Sequence, residues 1–123
     1  MKINGYPKTE KLKNKTEISL LFEKGKWFSY KDLQVISLVK EDLENQKVGV
    51  SVSKRYFKKA VDRNRIKRLL REVYRLNKKR FVETFGQNSL TMIFYKSSQK
   101  PTKFSKVEEM FIELCNNVEA SLK

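Results

Sequence analysis

Between Val50 and Phe85 the chain contains neither glycine nor proline. Nothing in that stretch supplies the special φ values or the missing N–H that interrupt a helix. Over residues 59–80 the side chains Ile66, Leu69, Leu70, Val73, Tyr74 and Leu76 fall within an arc of roughly 160° when wound at helical pitch. Lys67, Arg68, Arg71, Arg75, Lys78 and Lys79 take roughly the opposite 120°, with Asn64 among them. The pattern predicts one long helix, closed by Gly86, whose apolar face is committed to a core and whose other face is basic.

That basic face dominates the charge of the whole molecule. From Lys54 to Arg80 there are thirteen Lys/Arg against Asp62 and Glu72 alone, and this segment supplies most of the formal charge of +14. Solvated helix faces usually mix signs, because like charges at i, i+4 repel. Lys67, Arg71, Arg75 and Lys79 form an unbroken ladder of that spacing, a cost that a polyanionic partner would offset. The arginines favour phosphate, which a guanidinium grips with two parallel hydrogen bonds. A membrane surface would need the apolar face, which the flanking strands require as cover. No helix-turn-helix or zinc-finger spacing points to DNA. RNA, met through phosphates and shape, fits best.

The composition also excludes chemistry. There is no histidine and a single cysteine, Cys115. The commonest general base is absent, as are a structural zinc site, an internal disulfide and any Ser–His or Cys–His nucleophile pair. Carboxylates are scattered, with no acidic cluster of the two-metal nuclease type. An autonomous nuclease is therefore disfavoured, and no catalytic residue is assigned. One cysteine, no apolar run of membrane-spanning length and no signal-peptide core at residues 1–8 fit a reducing, cytoplasmic setting.

The rest of the chain reads as a single domain, residues 1–123, with a basic irregular arm at 1–11 and a helical tail at 116–123. Asn14 and Glu17 have capping-box spacing and predict a helix carrying Ile18, Leu21 and Phe22, stopped by Gly25. Phe22, Trp27, Phe28, Tyr30, Tyr56 and Phe57 are the aromatics that could stack bases, and Trp27 and Tyr30 of these flank a turn or strand start. Residues 33–39 and 90–95 read as strands, the latter buried. Residues 48–53 alternate, with valines on one side and Gly49, Ser51 and Ser53 on the other, so that second face admits a close neighbour. Of Tyr56 and Phe57, one is expected in the core and one outside. A last helix is predicted from Ser105, capped with Glu108, with Val107, Met110, Phe111, Leu114, Val118 and Leu122 as its stripe. This is an α+β chain with one βαβ unit, for which the general rule gives a right-handed crossover.

The order Val48-Gly49-Val50-Ser51-Val52-Ser53-Lys54-Arg55, then Ala60-Val61-Asp62-Arg63-Asn64-Arg65-Ile66-Lys67-Arg68-Leu69-Leu70-Arg71-Glu72, resembles the protein component of bacterial ribonuclease P. The resemblance extends over roughly residues 10 to 115. It implies an α/β sandwich of order α-β-β-β-α-β-α, with a four-stranded mixed sheet and an unusual left-handed crossover. It implies a protein subunit, monomeric apart from RNA, in a ribonucleoprotein that removes the 5′ leader of precursor tRNA. The catalyst would be the RNA, which would also hold the Mg²⁺; none is expected on the protein alone. By matching position, Lys54, Arg55, Arg63, Asn64, Arg65, Lys67, Arg68 and Arg71 would contact the catalytic RNA. Ile18, Phe22 and Ile36 would wall a cleft for the single-stranded leader, where some relatives carry aromatics in place of the two isoleucines. The alternative reading is a structural RNA-binding protein of ribosomal type.

Overall fold

The structure is a computed structural model that describes residues 8–101 and 103–121. A 3₁₀ turn at Lys8–Glu10 leads into helix α1 (Lys15–Lys24). Asn14 starts that helix: its Oδ1 accepts from the amides of Thr16 and Glu17 at 2.9 and 3.1 Å, satisfying two donors that have no partner inside the helix. Glu17 does not reach back to complete a capping box. Its carboxylate binds Lys47 at 3.1 Å instead, fastening α1 to the sheet. Gly25 stops the helix, though with extended rather than left-handed backbone (φ −71°, ψ 162°). Its role is close approach: a Cβ there would sit 2.5 Å from the Leu21 carbonyl and 2.6 Å from Ile36 Cγ1.

Strands β1 (Lys26–Tyr30) and β2 (Leu33–Val39) form a hairpin whose two-residue turn is Lys31–Asp32, with Lys31 at φ 51°. Strand β3 (Lys47–Val52) follows. The helical stretch expected at 59–80 is two helices, α2 (Ala60–Leu76) and α3 (Lys78–Phe85), broken at Asn77 (φ −123°, ψ 33°). Asn77 Nδ2 competes for the Val73 carbonyl at 2.8 Å and also donates to Glu108 at 2.9 Å, so the side chain draws the backbone out of register. The bend leaves Leu76, expected in the core, 54% exposed. It carries Phe81 and Phe85 under the sheet, where Phe81 meets Tyr74 edge-on at 5.2 Å. Gly86 (φ 97°) closes α3 in the conformation glycine tolerates best.

Strand β4 (Ser89–Tyr95) completes a sheet of order β1-β2-β4-β3. β2 is antiparallel to both its neighbours, β1 and β4, and β3 lies parallel to β4, joined to it through α2 and α3. Helix α4 (Phe104–Ser121) begins one residue before the expected Ser105, and Glu108 serves Asn77 rather than a cap. Leu122 of its expected stripe lies outside the described residues, as do residues 1–7 of the basic arm.

The sheet separates two cores. On one face Leu33, Val35, Val48, Val52, Ile93 and Tyr95 pack against α2, α3 and α4. The only polar couple buried across β2 and β4 among the described residues, Ser37 and Thr91, is satisfied by its own 2.9 Å hydrogen bond. On the other face α1 covers only part of the sheet, with Leu21, Ile36, Leu90 and Met92 beneath it and Leu12 alongside. The uncovered remainder of that face is where the site lies.

Candidate nucleic-acid interface

Two adjoining surfaces are built here, one aromatic and one basic. The aromatic one is a groove of about 280 Å³ beside α1. Phe22 of α1, Trp27 of β1 and Phe94 of β4 form its wall, with centroids 6.0, 6.0 and 5.6 Å apart. Phe22 is 45% and Trp27 47% exposed, so large ring faces remain in solvent although both are packed. Gln34, Ser51 and Ser53 also line the groove, Ser51 on the face of β3 that the alternation leaves without bulk and Ser53 just past the strand's end. Arg55, Tyr56 and Lys96 line it as well. A cluster of tilted, partly exposed rings beside polar side chains and two cations suits unpaired bases and the phosphates between them.

The expected cleft residues divide. Phe22 is in the groove. Ile18 is half-buried and packs on the second core. Ile36 is fully buried, beneath α1 and against Gly25, and cannot wall anything. Trp27, an aromatic the sequence offers for stacking bases, joins Phe22 in the groove, and Gln34 and Phe94 are additions that no local pattern signals. Phe57 is the core member of its pair, at 5% exposure, and Tyr56 lines the groove.

The basic surface begins where the groove ends. Lys54, Arg55, Lys58 and Lys59 are exposed on the β3–α2 loop, and Asn64, Arg65, Arg68 and Arg71 are exposed on α2. Arg63 and Lys67 are half-buried. Arg63 faces inward: its Nη1 donates to the carbonyls of Phe57 and Lys58, each at 2.9 Å. It fixes the loop that carries the other cations. The ladder Lys67–Arg71–Arg75–Lys79 is interrupted, because Glu72 neutralises Arg75 at 2.8 Å. Beyond it Lys78 binds Glu10 at 3.1 Å and Arg80 binds Glu119 at 2.6 Å. Within the run from Lys54 to Arg80, the cations that face solvent without an acidic ion-pair partner among the described residues thus lie before Val73, Lys79 excepted.

Six carboxylates, those of Glu10, Glu17, Asp42, Asp62, Glu72 and Glu119, are held by lysine or arginine. Among the described residues no three His, Cys, Asp or Glu side chains stand together as metal ligands. The donor set does not fit a protein-bound catalytic metal, and no step is assigned to one. Cys115 is buried, and burial pushes its thiol up to about 11, which makes it inert at neutral pH. No helix among the described residues is long and apolar enough to cross a membrane.

A family model described as Ribonuclease P matches residues 6–119. The chain belongs to the ribonuclease P protein family. The ribonuclease P protein component of Dictyoglomus turgidum is 35% identical over 109 residues, covering 89% of this chain and 88% of that protein. That of Porphyromonas gingivalis W83 is 34% identical over 125 residues, covering 95% and 91%. Among solved structures, the Staphylococcus aureus RNase P protein superposes with a TM-score of 0.74 at 18% identity, over 88% of this chain and 94% of that one. The Thermotoga maritima RNase P protein gives 0.72 at 22% identity, over 88% and 96%. These structures share the fold. Membership makes the chain a ribonuclease P protein component and displaces the ribosomal alternative.

Proposed function

We propose that this ribonuclease P protein holds two RNAs side by side. The loop 54–59 and the exposed face of α2 dock on the catalytic RNA. The groove of Phe22, Trp27 and Phe94 takes the single-stranded 5′ leader of precursor tRNA. The observation that carries this reading is continuity: Arg55 and Tyr56 belong at once to the lining of the groove and to the basic loop. A leader leaving the catalytic centre of a docked RNA would therefore run directly onto the aromatic rings. Phosphate contacts set position and counterion release sets salt dependence, while stacking holds bases of any identity.

The protein contributes binding and orientation, and the bond-breaking groups and the Mg²⁺ belong to the RNA. Six of the protein's fourteen side-chain carboxylates are already engaged in ion pairs. The protein acts as a monomer apart from RNA, in the cytoplasm. Reconstitution with the cognate catalytic RNA tests the reading. Added protein should raise cleavage of leader-bearing precursor tRNA at low Mg²⁺, with purified protein alone inactive. No gain at any Mg²⁺ concentration overturns it.

A further inference from the structure

The segment before α1 runs as a strap along the outer edge of β3. Lys11 forms a parallel bridge with Val48, and the Leu12 amide donates to the Val48 carbonyl at 3.1 Å. The pairing ends there, because Asn14 turns the chain into α1. Backbone polar groups alternate sides along a strand, so Val50 directs its N–H to the same edge as Val48. That edge, past the end of the strap, opens into a groove of about 330 Å³ lined by Lys11, Lys13, Gly49, Val50 and Arg71. Lys13 and Arg71 are exposed, come from different elements, and have no ion pair among the described residues.

The strap is held in place rather than laid on loosely. Tyr74 Oη donates to Glu10 at 2.6 Å while accepting from Gln46 at 3.0 Å, and Lys78 binds the same carboxylate at 3.1 Å. Asn45 Nδ2 donates to the Thr9 carbonyl at 3.1 Å. A strand-edge N–H lining the same groove as a guanidinium and an ammonium, on a fixed backbone, is a donor set suited to a phosphate group. We infer that this groove is a phosphate subsite, in which the Val50 amide, Lys13 and Arg71 together take one backbone phosphate of the bound RNA. This rests on the RNA-docking reading and extends it from α2 across to the strap.

The test is the salt dependence of assembly with the catalytic RNA, measured for the wild type, Lys13→Ala, Arg71→Ala and the double variant, with Arg68→Ala as reference. Each single change at the groove should lower the slope of log K against log salt by about 0.7–0.9. The double variant should lose less than the sum, since both side chains serve one phosphate. In a titration of the free protein with inorganic pyrophosphate, the Val50 amide resonance should move, and should move less in Lys13→Ala. A slope unchanged in Lys13→Ala while Arg68→Ala lowers it overturns the subsite and leaves RNA docking intact. Additive slopes, or a Val50 amide that stays still, also overturn it. Pyrophosphate binding without any change in RNA slope would show a free-anion site only, again against the proposal. Loss of all RNA binding by the wild type would instead remove the docking reading itself.

Discussion

Phe22 can be removed at small cost to the fold and large cost to the leader. Fully burying a phenylalanine is worth about 1.5–3 kcal/mol. Phe22 is 45% exposed, so truncation to alanine should cost about 1–1.5 kcal/mol. Domains of this size hold about 5–15 kcal/mol in reserve, so Phe22→Ala stays folded. Its ring faces Trp27 and Phe94 at 6.0 Å each, and a stacked base is worth about 1–3 kcal/mol by alanine substitution. Affinity for leader-bearing precursor should fall about 5- to 150-fold. Affinity for leaderless tRNA should hold. Phe22→Leu separates the two terms: it keeps most of the apolar burial but has no π-face, so stability should survive while leader affinity falls. The assay is equilibrium binding of both tRNAs to the reconstituted particle, with thermal melts of each variant. Equal losses on both substrates would refute the groove assignment, as would a full-length precursor bound as tightly by Phe22→Leu as by wild type.

Gly25→Ala should destabilise the fold by about 1–3 kcal/mol, seen in denaturant melts, because its Cβ would meet Leu21 O at 2.5 Å and Ile36 Cγ1 at 2.6 Å. Arg63→Ala should weaken assembly with the catalytic RNA and raise amide exchange in residues 54–59, since two carbonyl contacts at 2.9 Å hold that loop; unchanged exchange would make Arg63 a direct contact instead. Cys115 ionises near 9.0 when unfolded and near 11 when folded, so its contribution is complete below pH 9 and is lost as pH rises through 11. The stability difference between wild type and Cys115→Ala should therefore shift by about 2 kcal/mol against the wild type between pH 8 and pH 11 in urea melts.

What could be read from the chain was whatever local pattern decides. The alternation of Val48, Val50 and Val52 marked β3, and the oxygen of Asn14 capped α1 where its spacing from Glu17 placed a helix start. The apolar face of α2 was legible because Ile66, Leu70, Val73 and Tyr74 repeat at helical spacing. Three features depended on distant partners. Asn77 breaks a helix that lacks any glycine or proline, and the glutamate that stabilises the break lies 31 residues later. The β1–β2 turn has Lys31 at φ 51° in place of the expected asparagine or glycine, so no turn residue announced the hairpin. Ile36 was placed in the cleft by position in the family, but α1 settles over it because Gly25 permits close approach. The groove then takes its aromatics from β1 and β4, strands far apart in sequence that lie on either side of β2 in the sheet.

The same distinction governs the basic run. Charge counting assigns the whole span from Lys54 to Arg80 to a polyanion. Three acidic residues then divide it: Glu72 is three positions from Arg75, whereas Glu10 and Glu119 come from the two ends of the chain to reach Lys78 and Arg80. Only the first is foreseeable from helical spacing. Neutralising the far half costs the interface little and organises the fold, because Glu10 fixes the strap and Glu119 ties α4 to α3. Cations without such partners remain on the loop and the first turns of α2, beside the rings of the groove. The site is therefore smaller than the charge run, and its position next to Phe22, Trp27 and Phe94 follows from where the acidic residues fold back.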